Sequence, residues 1–306
     1  MVMEMAKRIR QIAFYGKGGI GKSTIASNIA AAYAEQGMNV MMVGCDPKAD
    51  CTRNLRGEEE IPTVLDVLRE KGVMKLGLTE LVEGKKIEID EIVKEGYKGV
   101  LCVEAGGPEP AIGCAGRGVI VAVELLKKLG VYEAFDLDVV IYDVLGDIVC
   151  GGFGIPLRRG LADEVYIITS ADYLAIYAAN NICKGIARHA SRGGSPLGGI
   201  IYNVRGLLDD ISLVREFAKN VGSDVIGAIP YDKTITECEL YAKTVIEFKP
   251  NCEIADVFRN LAMKIYENGQ RISPKPLSRK ELADLALKIR EKTREVHLQP
   301  KEALPG

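Results

Sequence analysis

Short apolar runs alternate with helical stretches along most of the chain. The runs are nearly continuous and rich in β-branched residues, which is typical of parallel strands covered by helices on both faces. The predicted strands span residues 11–15, 39–45, 100–104, 139–143, 165–170, 199–203 and 225–229. A helix is predicted over residues 21–36, where Ile25, Ile29 and Ala32 share one face. This alternation predicts an α/β fold with a doubly wound, mainly parallel sheet.

Two regions depart from the alternation. Residues 56–98 are charged and helical in pattern, and we expect them to cross one edge of the sheet. After Pro274 and Pro276, a Lys/Glu-rich amphipathic stretch from Ser278 to about Val296 predicts an added helix with a frayed tail. We therefore expect one domain over residues 1–269 and a C-terminal extension over residues 270–306.

Composition and charge narrow the class of protein. The chain has 306 residues, 47% of them hydrophobic and 27% charged, which is ordinary for a soluble globular protein. A net charge of −2 gives no electrostatic footprint for nucleic acid or an anionic membrane. No apolar run approaches the ~20 residues that span a bilayer, and the first residues lack the apolar core of a signal peptide. We expect a cytoplasmic protein.

A phosphate-binding loop is predicted where the first strand meets the first helix. Residues 16–23, Gly-Lys-Gly-Gly-Ile-Gly-Lys-Ser, match GxxxxGK[ST]. Backbone N–H groups and the helix N-terminus would cradle phosphates, Lys22 would reach the β- and γ-phosphates, and Ser23 would bind Mg²⁺. The alternative is a glycine-rich turn that matches by chance. The predicted nucleotide-binding residues here are Gly16, Lys17, Gly18, Gly19, Ile20, Gly21, Lys22, Ser23 and Thr24.

Three aspartates have the positions that phosphoryl transfer requires. Asp143 ends an apolar strand and is the candidate for holding Mg²⁺, directly or through water. Asp46 and Asp147 are placed to orient the attacking water or accept its proton, because such enzymes work mainly by positioning and electrostatics. The alternative for each is an ordinary turn or helix-cap residue.

Two of the eight cysteines lie in glycine-rich turns. Cys114 lies in residues 106–118 and Cys150 in residues 143–152, seven residues after Asp143. Thiolates with glycine neighbours suit an iron–sulfur cluster, and a [4Fe–4S] cluster normally takes four of them, so a symmetric dimer could supply all four. The other cysteines fit small buried hydrophobes, and the residues alone leave that interpretation open for Cys114 and Cys150 as well.

Six segments together resemble the nitrogenase iron-protein family, a deviant P-loop group. They are residues 16–23, 44–50, 102–110, 113–120, 142–153 and 177–181, and the likeness runs over about residues 10–268. The resemblance implies a homodimer in which Cys114 and Cys150 hold one [4Fe–4S] cluster between the subunits. It also implies that MgATP binding and hydrolysis drive docking and low-potential electron transfer to a catalytic partner.

The same resemblance implies roles for individual residues. Lys17 matches the signature lysine that reaches across the dimer to the partner's nucleotide. The residues that match the two nucleotide switches are Asp46, Asp50, Asp143 and Asp147. Asn203 and Asp232 match adenine-side positions, and Arg117 matches a docking-face arginine that some relatives ADP-ribosylate.

Departures from the family pattern bear on the partner. Residues 156–161 read Pro-Leu-Arg-Arg-Gly-Leu, so Arg159 and Leu161 replace an acidic and a basic docking residue, next to Arg158. This favours a nitrogenase-like branch, in which the catalytic partner is Ni-sirohydrochlorin a,c-diamide reductive cyclase and a ferredoxin-type protein supplies electrons. The alternatives are dinitrogenase reductase and a non-redox partition or septum-site ATPase.

Overall fold

The computed structural model describes residues 8–72, 87–107, 116–144, 146, 162–205 and 209–298. Their strands form one sheet in the order β3-β4-β2-β5-β1-β6-β7-β8. The strands are β1 Arg10–Tyr15, β2 Val40–Gly44, β3 Lys94–Glu95, β4 Leu101–Glu104, β5 Val139–Asp143, β6 Glu164–Thr169, β7 Leu197–Asn203 and β8 Val225–Ile229. Neighbouring strands are parallel except β3 and β4, which are antiparallel.

Helices cover both faces of this sheet. They are α1 Lys22–Glu35, α2 Arg53–Arg56, α3 Val64–Glu70, α4 Ile89–Ile92, α5 Gly116–Lys128, α6 Val131–Ala134, α7 Tyr173–Ala190, α8 Ile211–Asn220, α9 Lys233–Leu240, α10 Val245–Phe248, α11 Glu253–Glu267 and α12 Arg279–Leu298, with a 3₁₀ turn at Tyr97–Gly99. Within the described ranges, no helix combines the length and apolar character needed to cross a membrane.

Alternate residues of each strand enter two separate cores. On β1, Ile12 and Phe14 pack with α1 and α11, whereas Ala13 and Tyr15 pack with α3, α5, α7 and α8. All four side chains are fully buried. Burial on both faces explains why the strand sequences are nearly continuous apolar runs rather than alternating ones. The predicted doubly wound α/β fold is confirmed.

The seven predicted strands are all present, with ends shifted by up to two residues. The edge strand β3 was missed because two charged residues, Lys94 and Glu95, carry no strand signal. In the described parts of residues 56–98, which are 56–72 and 87–98, the structure has α3, α4, this edge strand and most of the 3₁₀ turn, and the rest of the predicted helical region lies outside the described residues.

The C-terminal helix α12 packs against the main body. Ser278 and Glu281 form a reciprocal cap, in which each backbone N–H donates to the other's side chain. Its apolar face, Leu282, Leu285 and Ile289, is buried in the core that contains α7 and α8. Asn180 on α7 holds the chain just before α12. Its side-chain amide donates to Leu277 O at 3.0 Å and accepts from Leu277 N–H at 2.7 Å. The boundary at residue 269 stays a prediction.

The central strands end at one edge, where the predicted site residues collect. Asp143 closes β5 and is in register with Phe14 on β1 and Gly44 on β2. In open α/β sheets the carboxyl ends of the strands are where ligands bind. The site is therefore at this edge.

Candidate nucleotide site

The loop between β1 and α1 has the backbone geometry of a phosphate cradle. Ile20 N–H donates to Lys17 O at 3.2 Å, and α1 begins directly after the loop. Gly21 adopts a left-handed conformation with φ +93°, which favours glycine. At Gly16, a Cβ would lie 2.3 Å from the carbonyl oxygen of Ile168, so glycine is required there for space. The predicted strand–loop–helix setting is present.

Lys22, Ser23 and Asp143 come together at the start of α1. Lys22 is only 8% exposed, and its Nζ donates to Lys17 O at 3.4 Å. Burial raises the pKa of Asp143. The positive charge of Lys22 and hydrogen bonds from the Ser23 hydroxyl and the Cys51 thiol act in the opposite direction. The two predicted magnesium-binding side chains, Ser23 and Asp143, are thus neighbours.

The carboxylate of Asp143 also has an unused ligand position. Asp143 is 2% exposed, and among the described residues its Oδ1 has no hydrogen-bond partner. A buried unpaired carboxylate oxygen costs free energy unless a cation or hydrogen-bond donor reaches it. A hydroxyl and a carboxylate are hard oxygen donors of the kind Mg²⁺ prefers. This donor set fits a magnesium ion bound with nucleotide phosphates.

Asp46 and Asp50 lie in the loop that follows β2. Asp46 Oδ1 accepts a hydrogen bond from Lys48 N–H at 3.0 Å, so it is a turn residue, as the alternative interpretation expected. Its charge also contributes to the raised pKa of Asp143, which places it close to the magnesium-side carboxylate. Asp50 is exposed. The positions are compatible with the predicted switch roles, which stay predictions.

Asn203 borders the loop from the other side, and Asp232 and Thr24 make contacts with α9. Asn203 Nδ2 donates to Ile20 O at 2.7 Å and lies against Gly21. Asp232 caps α9 by accepting from Thr234 N–H at 2.7 Å. The Thr24 hydroxyl donates to Glu239 on α9. Asn203 therefore supports the phosphate loop directly, and its predicted adenine-side role remains to be tested.

Two contacts at this site were not predicted. Gly146 packs so closely on the phosphate loop that a Cβ there would lie 1.8 Å from Gly16 O. Cys51, interpreted from the sequence as a plain buried hydrophobe, is buried but also hydrogen-bonds Asp143. A signal for Gly146 was its position three residues after Asp143, whereas nothing local marks Cys51.

Several predicted residues lie outside the described part of the chain. These are Asp147, Cys114, Cys150, Arg158 and Arg159. Arg117 lies in the first turn of α5. The segments leading to the two glycine-rich turns leave the same edge of the sheet, from β4 and β5, which are separated by β2. The cluster and docking assignments therefore stay predictions.

A family model described as "4Fe-4S iron sulfur cluster binding proteins, NifH/frxC family" matches residues 10–292. The chain belongs to this family. It is 58% identical to nitrogenase iron protein 2 of Methanothermococcus thermolithotrophicus, over 95% of this chain and 100% of that protein. It is 52% identical to the nitrogenase iron protein of Methanococcus voltae, over 94% of this chain and 99% of the relative.

Two solved structures that share the fold are more distant in sequence. A ParA family ATPase from Chlorobium tepidum superposes with a TM-score of 0.61 at 22% identity, covering 83% of this chain and 98% of its own. The cell division ATPase MinD of Pyrococcus furiosus superposes with a TM-score of 0.57 at 19% identity, covering 85% and 99%. At such identities the likeness shows the P-loop ATPase fold alone.

Family membership confirms the broader predictions. The chain is an ATP-hydrolysing iron–sulfur electron-transfer component whose cofactors are MgATP and a [4Fe–4S] cluster that bridges a homodimer. Its partner is a nitrogenase-like catalytic component. A redox family is thereby favoured over the non-redox partition or septum-site class.

Proposed function

We propose that this protein passes low-potential electrons to its catalytic partner from a cluster held by Cys114 and Cys150 of two subunits. The observation that carries the proposal is the buried Asp143 beside Lys22 and Ser23, at the end of β5 and seven residues before Cys150 in the chain, with Gly146 between them packed on the phosphate loop. The nucleotide site and one cluster cysteine thus share a single short segment. The cluster supplies one-electron transfer at low potential.

In this proposal the phosphate loop positions ATP and the aspartates prepare its hydrolysis. Backbone N–H groups of the loop and Lys22 bind the phosphates, and Ser23 and Asp143 hold the magnesium ion that neutralises their charge. Asp46 and Asp147 orient the attacking water. Lys17 acts across the dimer on the nucleotide of the other subunit, where it stabilises charge in the transition state.

In this proposal, the change between nucleotide states alters the position of residues 143–150 and thereby the surroundings of the cluster. Gly146 contacts the backbone of Gly16, so movement of the phosphate loop displaces the segment that carries Cys150. In this proposal Asp50 belongs to the nucleotide switch after β2. The adenine side of the nucleotide is contacted by Asn203 and Asp232. Such a segment with two positions is the usual device by which γ-phosphate binding is transmitted.

The catalytic partner we favour is Ni-sirohydrochlorin a,c-diamide reductive cyclase. Arg159 and Leu161 replace an acidic and a basic docking residue, and loss of a charged contact at an interface alters association rate and partner choice. Arg117, Arg158 and Arg159 form the proposed docking face. A ferredoxin-type donor and a cytoplasmic location complete the proposal. A second candidate, dinitrogenase reductase, is supported by the names of the relatives in the two methanogens.

Reconstitution separates the two partners. The protein is mixed with each catalytic component under dithionite and MgATP, and tetrapyrrole reduction and ammonia formation are measured. We expect efficient tetrapyrrole reduction and poor dinitrogen reduction. Efficient ammonia formation without tetrapyrrole reduction would reverse the order of the candidates.

A further inference from the structure

Glu104 is a buried carboxylate that ends β4 beside the nucleotide site. Its side chain is 0% exposed. Oε1 accepts two hydrogen bonds of 2.7 Å, one from the backbone N–H of Thr52 and one from the Thr52 hydroxyl. Charge-assisted bonds to a buried carboxylate are among the stronger hydrogen bonds in proteins. Glu104 therefore fastens Thr52 to the sheet.

Thr52 in turn ends the loop that carries Asp46 and Asp50. Arg56 Nε donates to the Thr52 hydroxyl at 3.2 Å, and Arg56 Nη2 donates to Ala49 O at 3.3 Å. Ala49 has φ +55°, a left-handed conformation that an alanine keeps only when its surroundings hold it. The hydrogen bonds between Glu104 and Thr52 therefore hold the end of this loop against the sheet, and Arg56 connects Thr52 to Ala49 within the loop.

The same loop touches the chain that leads to Cys114. Immediately after Glu104, Ala105 N–H donates to Gly44 O at 2.9 Å. At Gly107, a Cβ would lie 2.6 Å from Cβ of Pro47, which stands between Asp46 and Asp50. The backbone of Gly107 therefore packs directly against Pro47 with no room for a side chain between them, and we expect Pro47 and residues 104–107 to move together. Cys114 follows Gly107 by seven residues.

We infer that Glu104 is a positioning residue that transmits the nucleotide-dependent position of residues 46–52 to the segment preceding Cys114. This route runs from β2 to β4 and is separate from the route through Gly146 toward Cys150. Its cluster end rests on the proposed function, because it needs Cys114 to be a cluster ligand. The contacts between residues 46–52 and residues 104–107 do not involve the cluster, so this part of the inference is tested without it.

Two substitutions at one position separate coupling from folding. Glu104→Met fills a similar volume but removes the acceptor oxygen, whereas Glu104→Gln keeps an oxygen that Thr52 can donate to. Hydrogen–deuterium exchange is measured on both variants and on the natural protein, with and without MgADP. In the natural protein and Glu104→Gln, we expect MgADP to change exchange in residues 46–52 and 105–118.

In Glu104→Met, the change should persist in residues 46–52 and fall several-fold in residues 105–118. Equal changes in Glu104→Met and the natural protein would overturn the inference, as would a natural protein with no change in residues 105–118. If Glu104→Met does not fold, Thr52→Val is compared with Thr52→Ser, because valine removes the hydroxyl bond to Glu104 but keeps the backbone bond, whereas serine retains both; the MgADP-induced change in residues 105–118 should then be smaller in Thr52→Val than in Thr52→Ser, and equal changes would overturn the inference.

Chelation of the cluster iron then tests whether the change in residues 46–52 is transmitted as far as the cluster. The rate at which a chelator removes cluster iron is compared with and without MgATP, and the MgATP effect should be several-fold smaller in Glu104→Met than in Glu104→Gln. An undiminished MgATP effect in Glu104→Met contradicts transmission to the cluster. A natural protein without iron would instead refute the proposed function, and the exchange experiment would still decide the coupling.

Discussion

At the residue scale, the site depends on carboxylates that are buried away from water. Asp143 and Glu104 are both almost inaccessible, and each has one oxygen without a hydrogen-bond partner among the described residues. The charge of Asp143 also raises the pKa of Glu104. Two such groups side by side are unfavourable for folding alone. In the proposed function a magnesium ion compensates Asp143, and the hydrogen bonds from Thr52 compensate one oxygen of Glu104.

Glu104 gives the protein a specific pH dependence of stability. Burial is the largest cause that raises the pKa of Glu104, from 4.5 to about 7. Between these values the folded protein holds a proton that the unfolded chain releases, so this group's contribution to folding falls as pH rises and stays lost above about 7. Glutamine does not titrate, so Glu104→Gln does not lose stability in this way as the pH rises.

The free energy of unfolding of Glu104→Gln should therefore increase relative to the natural protein across this pH range. The relative gain is up to roughly 3 kcal/mol, since one pKa unit corresponds to about 1.4 kcal/mol. Denaturant titrations of nucleotide-free protein at several pH values measure it. If the free energies of unfolding of the two proteins differed by the same amount at every pH, the pKa of Glu104 would not be raised in the folded protein.

Gly146 supplies a second test at this scale. In Gly146→Ala the new Cβ would lie 1.8 Å from Gly16 O, so the phosphate loop must shift. Gly269→Ala is the matched control, because nothing lies within 4 Å of a Cβ there. We expect Gly146→Ala to lose most MgATP affinity by calorimetry and Gly269→Ala to bind normally. Normal binding by Gly146→Ala would contradict the described contact.

At the scale of elements, α12 is part of the core. Leu285 is 2% exposed against α7 and α8, whereas Leu287 on the same helix is 55% exposed. Leu285→Ala should reduce the free energy of unfolding by about 2–5 kcal/mol, the usual cost of emptying a buried leucine site. Leu287→Ala should change it by less than about 0.5 kcal/mol. Equal losses of unfolding free energy in Leu285→Ala and Leu287→Ala would mean that α12 does not pack as described.

The elements also show what the sequence could predict. The short apolar runs and the glycine-rich loop predicted the strands, α1 and the position of Lys22, because these signals are local. Strand β3 was missed because edge pairing of two charged residues leaves no periodic pattern. Glu104 was missed as a site residue because its partner Thr52 is 52 positions away in the chain. Contacts between distant segments depend on strand order, which a single sequence does not state.

At the scale of the whole molecule, two subunits must contribute to one cluster. The described strands bring the segments before Cys114 and Cys150 to one edge of the sheet, beside the nucleotide loop. With two proposed thiolates per chain, a [4Fe–4S] cluster requires a pair of chains. The dimer is thus a condition for electron transfer, and each chain carries a nucleotide site that can act on the shared cluster.

Iron content per dimer tests this claim most directly. The protein, Cys114→Ala, Cys150→Ala and the control Cys252→Ala are purified without oxygen, and iron is measured together with molar mass. We expect four irons per dimer in the natural protein and in Cys252→Ala, and loss of the cluster in the other two variants. Four irons per dimer retained in Cys114→Ala or Cys150→Ala would contradict a cluster shared through these cysteines.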